Sequence, residues 1–358
     1  MIRFVFPALP ALQDIKARVE DMLSSGIVLY GKYVETFEEQ VALFLGVKHV
    51  IALSNCTTAL LLMLSYLPKG EIIIPSFTFH ATPCACTWNK LKIVYADVDP
   101  NTWTISPEDV LRKITRDTVA VMGVNIFGNP PDVFALSDIC RRRNVTLLFD
   151  SAQSFGSTLA GKRIGCYGLA EAISLGPSKI LTAGEGGLFV TNNDAIAAHV
   201  KAGRYYGDAD ANLRPRFPGL NGRMTEFQAI LGLESLSKFS ETVTKHQDNN
   251  QLYRQYLKDR EIIFQQIEKA AVSCYKDITI LVPKQKRGKI SKALLDSGVQ
   301  HKFYYFPCHN TTAYYQRANL PVTEDLAERV ITLPSHVRLT EKDIQSISNV
   351  ILSALRLS

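Results

Sequence analysis

The chain has 358 residues, is 46% hydrophobic and 21% charged, and carries a formal net charge of +6. This is ordinary globular composition, enough for one large domain with a smaller one, and it excludes a disordered or strongly polybasic chain. The charge is spread along the sequence. Its densest basic cluster, Arg141-Arg142-Arg143, sits at an expected helix end, where cations complement the helix dipole. This argues against a nucleic-acid partner and for a mildly basic cleft that attracts phosphorylated substrates. No apolar run approaches the ~18 residues of a membrane span. Pro7 and Pro10 break the apolar N-terminus before it can form a signal-peptide core. A cytoplasmic location is expected, with the seven cysteines reduced. Cys84 and Cys86 lack the second pair or histidine cluster of a zinc site, so no metal is expected.

In chain order, residues 11–25 and 34–45 carry helical periodicity and stop at Gly26 and Gly46. HVIAL (49–53) reads as a strand, and residues 57–67 as a helix whose N-terminus lies near Asn55-Cys56-Thr57. EIIIP (71–75) is a strand, followed by a loop into a helix over 76–90. KIVYADV (92–98), AVMGVNI (120–126) and TLLFD (146–150) are further strands, with helices at 107–114 and 132–143. AISL (172–175) and GLFVT (187–191) follow. Strands alternating with helices from about 49 to 191 predict a mostly parallel α/β sheet. After MTEFQAILGLESLSKF (224–239), a long polar helix reaches about residue 259. Strands are expected at 278–282 and 302–306, and helices at 288–297, 323–329 and 341–355. This divides the chain into a large domain, 1–239, and a smaller α+β domain, 240–358.

The chemistry centres on residues 147–187. Asp150 ends one strand. Lys179 follows another and precedes Gly184-Glu185-Gly186-Gly187. A lysine amine that can form an imine and a carboxylate that can keep a pyridine nitrogen protonated suit pyridoxal 5′-phosphate (PLP). Taken alone, Lys179 also fits a surface lysine beside a turn. In parallel sheets, however, ligands sit beyond the carboxyl ends of the strands. Asn55–Thr57, Pro75–Phe79, Asp150 and Ser174–Lys179 all fall at such ends, so they can converge.

Several motifs, in order and spanning nearly the whole chain, extend this reading. They are SGIVLYGKYVETFEEQVA (25–42), SNCTTALLL (54–62), PSFTFHAT (75–82), ADVDPNTW (96–103), FGNPPDV (127–133), FDSAQSFGS (149–157), SLGPSKILTAGEGG (174–187), LNGRMTEFQAILGL (220–233) and ITLPSHVRLTEKD (331–343). Together they make the chain resemble the DegT-type (sugar nucleotide) PLP-dependent aminotransferases, which have the fold-type I architecture. The resemblance implies that Lys179 binds the cofactor covalently and moves a proton between substrate and cofactor, while Asp150 pairs with the pyridine nitrogen. It implies that Gln153 bonds the cofactor's phenolic oxygen and that Phe79 stacks on its ring. Read without the family, Gln153 is a solvated polar residue and Phe79 a core aromatic. The phosphate would lie on the N–H groups near Cys56 and Thr57, the Thr57 hydroxyl and Ser174. A plain N-cap role for Thr57 is compatible with this. Cys56 departs from the family's usual Gly-Thr pair.

Asn221 and Arg223 match positions that reach the neighbouring subunit's phosphate site, which implies a homodimer with shared active sites. Arg223 also fits a surface ion pair. His309 matches a histidine near the family's sugar pocket, and a surface histidine fits it as well. Gly222, where many members have tyrosine, and FGNPPDV are similar to members acting on dTDP-linked 4-keto-6-deoxy sugars. The implied reaction moves an amino group from glutamate to a keto sugar on a nucleotide carrier. The alternatives are a keto-cyclitol or other non-nucleotide keto sugar, or a PLP-binding regulator without turnover.

Overall fold

The computed structural model describes residues 1–208 and 214–356. Its centre is a seven-stranded sheet in the order His49–Leu53, Gly187–Thr191, Ala170–Ser174, Thr146–Asp150, Thr118–Val124, Glu71–Pro75 and Lys92–Ala96. From Ala170–Ser174 to Lys92–Ala96 neighbouring strands are parallel. Gly187–Thr191 is antiparallel to both its neighbours. The mostly parallel α/β sheet read from the sequence is therefore present.

The central strands are apolar on both faces because helices cover both. Alternation decides which residue goes where. Ile72, Ile74, Met122 and Leu148 join one cluster with Leu60 and Met63 of the helix Cys56–Ser65. Ile73, Val121, Leu147 and Phe149 join another, with Leu136 of the helix Val133–Arg143. Two buried carboxylates fasten helices that are distant in sequence. Glu226 accepts from the N–H groups of Gly31, Tyr33 and Val34, capping the helix Lys32–Leu45. Asp97 accepts from the N–H groups of Val322 and Thr323, capping the helix Pro321–Arg329. Both place a negative charge at the positive end of a helix.

A further cluster gathers Tyr253, Ile278, Ile280, Leu294, Ile331, Ile347 and Ile351 around the strands Ile263–Phe264, Ile278–Leu281 and Val330–Leu333. Packing does not follow a simple cut at residue 240. Ile2 bridges to Val299 and packs on this cluster, whereas Cys274 belongs to a core cluster on the large sheet. The strand expected at 302–306 is absent. Only Lys302 bridges, to Thr332. Beyond it the chain turns inward, where Tyr305 bonds Gln153 and Cys308 N–H bonds Ser76 O. The strand Val330–Leu333 was not foreseen. Among the described residues no helix is long and apolar enough to cross a membrane.

Candidate active site

The carboxyl ends of the parallel strands open on a cavity of about 290 Å³. Cys56, Thr57, Phe79, Asp150, Gln153, Ser174 and Lys179 all line it, as their positions at strand ends suggest.

Asp150 ends its strand and is buried. Its Oδ2 accepts from the Thr82 hydroxyl at 2.8 Å and its Oδ1 from Ala152 N–H at 3.2 Å. Burial pushes its carboxyl up from the ordinary range, opposed by these hydrogen bonds and by Lys179. Lys179 lies on a turn closed by its own N–H bonding Gly176 O at 3.0 Å and by Leu175 N–H bonding Gly186 O at 2.9 Å. The surface it keeps belongs to the cavity wall. Burial lowers its amine to about 8, with the Lys276 ammonium the next cause, against the pull of Asp277 and Asp150. The amine is thus within reach of both protonation states near neutral pH, which suits a group that must attack an aldehyde and move a proton.

The helix Cys56–Ser65 points its N-terminus into the cavity. Asn55 caps it, its side-chain oxygen accepting from Thr58 N–H at 2.8 Å. The N–H groups of Cys56 and Thr57 find no acceptor among the described residues. Free first-turn amides form an anion site. Burial raises the Cys56 thiol well above its ordinary range, so it brings no competing negative charge. The helix can sit this close to the sheet because position 187 is glycine. A Cβ there would lie 2.4 Å from the Asn55 carbonyl carbon and 2.5 Å from Cys56 N. Ser174 Oγ faces the same region and accepts from Gly176 N–H at 3.4 Å.

Gln153 is buried and more constrained than a free polar ligand. Its Oε1 accepts from Phe127 N–H at 2.7 Å and its Nε2 donates to the Tyr305 hydroxyl at 2.6 Å. One amide proton is left for another acceptor. Phe79 is 55% exposed and meets Tyr305 edge-on at 6.1 Å. It is a rim aromatic, not a core one.

Three of the expected residues do not line the cavity. His309 is 1% exposed, so it is not a surface histidine. Its Nδ1 lies 2.7 Å from Ser76 Oγ and its Nε2 3.2 Å from Glu324 Oε1. With both ring nitrogens engaged away from the cavity, it braces the loop at Ser76 against the helix carrying Glu324. Asn221 and Arg223 also lie off the cavity of their own chain. Arg223 donates to Asn221 Oδ1 at 3.1 and 3.2 Å and stacks over Tyr205. Sequence reasoning missed Thr82, Tyr305 and Lys276. Thr82 stands inside the PSFTFHAT motif, but nothing in its residue type marks it as the partner of Asp150.

The geometry is that of a fixed carboxylate and a tuned lysine, with an anion-binding helix end beside them. GDP-perosamine synthase of Vibrio cholerae is 30% identical to this chain, covering 93% of it and 94% of the synthase. UDP-2-acetamido-2-deoxy-3-oxo-D-glucuronate aminotransferase of Pseudomonas aeruginosa is also 30% identical, with 94% and 97% covered. The crystal structure of DesI in the presence of its TDP-sugar product superposes with a TM-score of 0.91 at 32% identity, covering 98% of this chain and 92% of that one. Residues 11–352 match the DegT/DnrJ/EryC1/StrS aminotransferase family, and the chain therefore belongs to that family of PLP-dependent enzymes.

Proposed function

We propose that this enzyme transfers the amino group of glutamate to a keto sugar on a nucleotide carrier, a dTDP-linked 4-keto-6-deoxy sugar. The observation that carries the reading is the convergence of Lys179, Asp150 and the free N–H groups of Cys56 and Thr57 on one cavity. PLP, when bound, supplies the electron sink. The protein's part is placement and proton control. The Lys179 amine holds the cofactor and carries the proton between carbon centres. Asp150, fixed by Thr82 and Ala152, keeps the pyridine nitrogen protonated. Thr57, Ser174 and the helix amides hold the phosphate, Phe79 covers the ring, and Gln153 offers its remaining proton to the phenolic oxygen. Asn221 and Arg223 reach the site of a second copy of the chain, making the working unit a homodimer.

The carrier and the sugar rest on likeness. Similar proteins are named for GDP, UDP and TDP sugars. Gly222 supports the dTDP choice through the sequence resemblance. In the structure it packs so closely that a Cβ would lie 2.8 Å from Thr58 Cγ2.

Borohydride reduction of the holoenzyme and peptide mapping should place the label on Lys179, and a label on another lysine refutes the cofactor site. A panel of dTDP-, GDP- and UDP-linked keto sugars and a keto-cyclitol, each mixed with the pyridoxamine form, identifies the acceptor by loss of its absorbance. The dTDP-linked 4-keto-6-deoxy sugar should react fastest. Preference for the cyclitol would overturn the nucleotide-sugar reading.

A further inference from the structure

We propose that Lys276, positioned by Asp277, is the carboxylate-recognition group of the active-site cavity and takes a carboxylate of the amino-acid donor. This rests on the aminotransferase reading above.

Lys276 lines the same cavity as Lys179, yet it is 5% exposed. Its backbone is fixed on both sides. Upstream, Ala271–Val272 pairs with Thr158–Leu159, Cys274 N–H donates to Ser157 Oγ at 3.0 Å, and Gln247 Nε2 donates to Ser273 O at 3.2 Å. The His246 ring lies 3.1 Å from Tyr275 O. Downstream, the chain enters the strand Ile278–Leu281. The backbone that carries Lys276 is therefore held against the segment after Asp150, and its side chain is held by Asp277.

The ion pair itself is incomplete. Lys276 Nζ lies 2.7 Å from Asp277 Oδ1, its one hydrogen bond among the described residues. An ammonium has three N–H donors, so two remain unengaged. Asp277 is 6% exposed, and its Oδ2 is buried without a partner among the described residues. A buried pair left unsatisfied is a poor stabiliser compared with apolar side chains of the same volume. What it provides is a fixed cation inside a cavity, and an anionic ligand would use its free donors through charge-assisted bonds.

The other anion-binding groups are already assigned. The helix N-terminus at Cys56–Thr57 serves the cofactor phosphate, and Lys179 holds the cofactor covalently. Among the described cavity-lining residues, Lys276 is the cation that remains. Its field reaches Lys179, whose amine it helps to lower. A donor amino acid brings its nitrogen to the cofactor with a carboxylate a short distance away, which matches a fixed cation beside the lysine. A carboxylate on the acceptor sugar is the other possible source.

The test uses the holoenzyme and glutarate, a dicarboxylate that cannot donate an amine. Glutarate binding is followed calorimetrically and by the absorbance of the bound cofactor. The glutamate half-reaction is followed separately. Lys276→Met should weaken glutarate by at least about tenfold, as expected for a lost charge-assisted bond. It should raise the half-saturating glutamate concentration comparably. Lys276→Arg should restore binding to within about threefold. Lys276→Met with Asp277→Asn leaves no lone buried charge, so it folds even where the single variant does not, and it should show the same loss. Wild-type glutarate affinity in either folded variant overturns the proposal. So does a loss confined to a carboxylated keto sugar. If wild-type enzyme takes no label on Lys179, the aminotransferase reading itself fails. If it labels and turns over while the variants keep glutarate affinity, only the role of Lys276 fails.

Discussion

The Thr82 hydroxyl donates to Asp150 Oδ2 at 2.8 Å, and it is the side-chain hydrogen bond that holds this buried carboxylate. Thr82 Oγ1 is itself 2.9 Å from Thr78 Oγ1, so its orientation is set by a second hydroxyl. Because burial pushes the Asp150 carboxyl up, each donor that favours the anion matters. Thr82→Val should lower kcat about tenfold, in line with a hydrogen bond to a charged group, with little change in the KM for glutamate. Asp150→Asn should lower kcat a few hundredfold or more, the ~3 kcal/mol of one electrostatic stabiliser. Steady-state kinetics on both variants checks the pair. Near-normal turnover in Asp150→Asn would remove Asp150 from its proposed role.

Gly187→Ala tests the helix end. The added Cβ would stand 2.4 Å from the Asn55 carbonyl carbon, so the Asn55–Cys56 peptide must move and take the free N–H groups with it. Overpacking of this kind costs about 1–3 kcal/mol, visible as a lower denaturation midpoint. Cofactor affinity, measured by equilibrium dialysis, should fall by about tenfold or more as the anion site distorts. Unchanged affinity would show that the phosphate lies elsewhere.

Much of the fold was legible because buried strands announce themselves. HVIAL, EIIIP, TLLFD and GLFVT have the bounds read from the sequence, since each is an apolar run between turn residues. Strand direction was not legible: nothing in GLFVT shows that it runs against its neighbours. FYYFP looks like strand sequence, but its tyrosines are used for the cavity wall and leave no ladder. The site was legible where a motif and a strand end coincide, as at Asp150 and Lys179. It was not legible at Lys276-Asp277, where a charged pair before a strand reads as a solvated turn and only tertiary packing buries it. Glu171 was overlooked for a similar reason: it interrupts AEAIS, so the strand seemed to begin after it.

Glu171 gives a prediction with a definite sign. Burial raises its carboxyl to about 7, against the lowering effect of the Ser151 hydroxyl and the N–H groups of Tyr167 and Gly165. The folded chain therefore keeps a proton that the unfolded chain, with an ordinary value of 4.5, has released. The stability from this group is fully present below 4.5 and is lost as pH rises through about 7. Glu171→Gln removes that dependence and keeps the acceptor for the two N–H groups. In urea melts from pH 4.5 to 8, the variant should gain on wild type as pH rises. Parallel curves would show that Glu171 does not titrate in this window.

The last prediction concerns the second copy of the chain. Asn221 is exposed, and among the described residues the Arg223 side chain is held by Asn221 and the Tyr205 ring, away from its own cavity. Tyr206 and Leu220, joined by the bond from Tyr206 N–H to Leu220 O, are exposed as well, as is Phe227 in the helix that follows. A twofold contact uses the same surface on both partners, so one such face can close two sites at once. The exposed hydrogen bonds from Arg223 to the neutral Asn221 amide contribute only about 0.5–1.5 kcal/mol to stability, so loss of turnover in an Asn221/Arg223 double alanine variant points to a role in the site. Complementation then decides whose site it is. If the site is shared, Lys179→Ala chains and Asn221/Arg223 double-variant chains should each be inactive alone. Unfolded together and refolded as a mixture, they form heterodimers in which one site has an intact Lys179 from one chain and intact Asn221 and Arg223 from the other. Partial activity should return, at roughly a quarter of wild type if chains pair at random and each dimer carries two sites, as twofold symmetry requires. If every subunit holds a complete site, no mixing ratio recovers activity. A monomer with full turnover, seen by sedimentation at assay concentration, would refute the shared site outright.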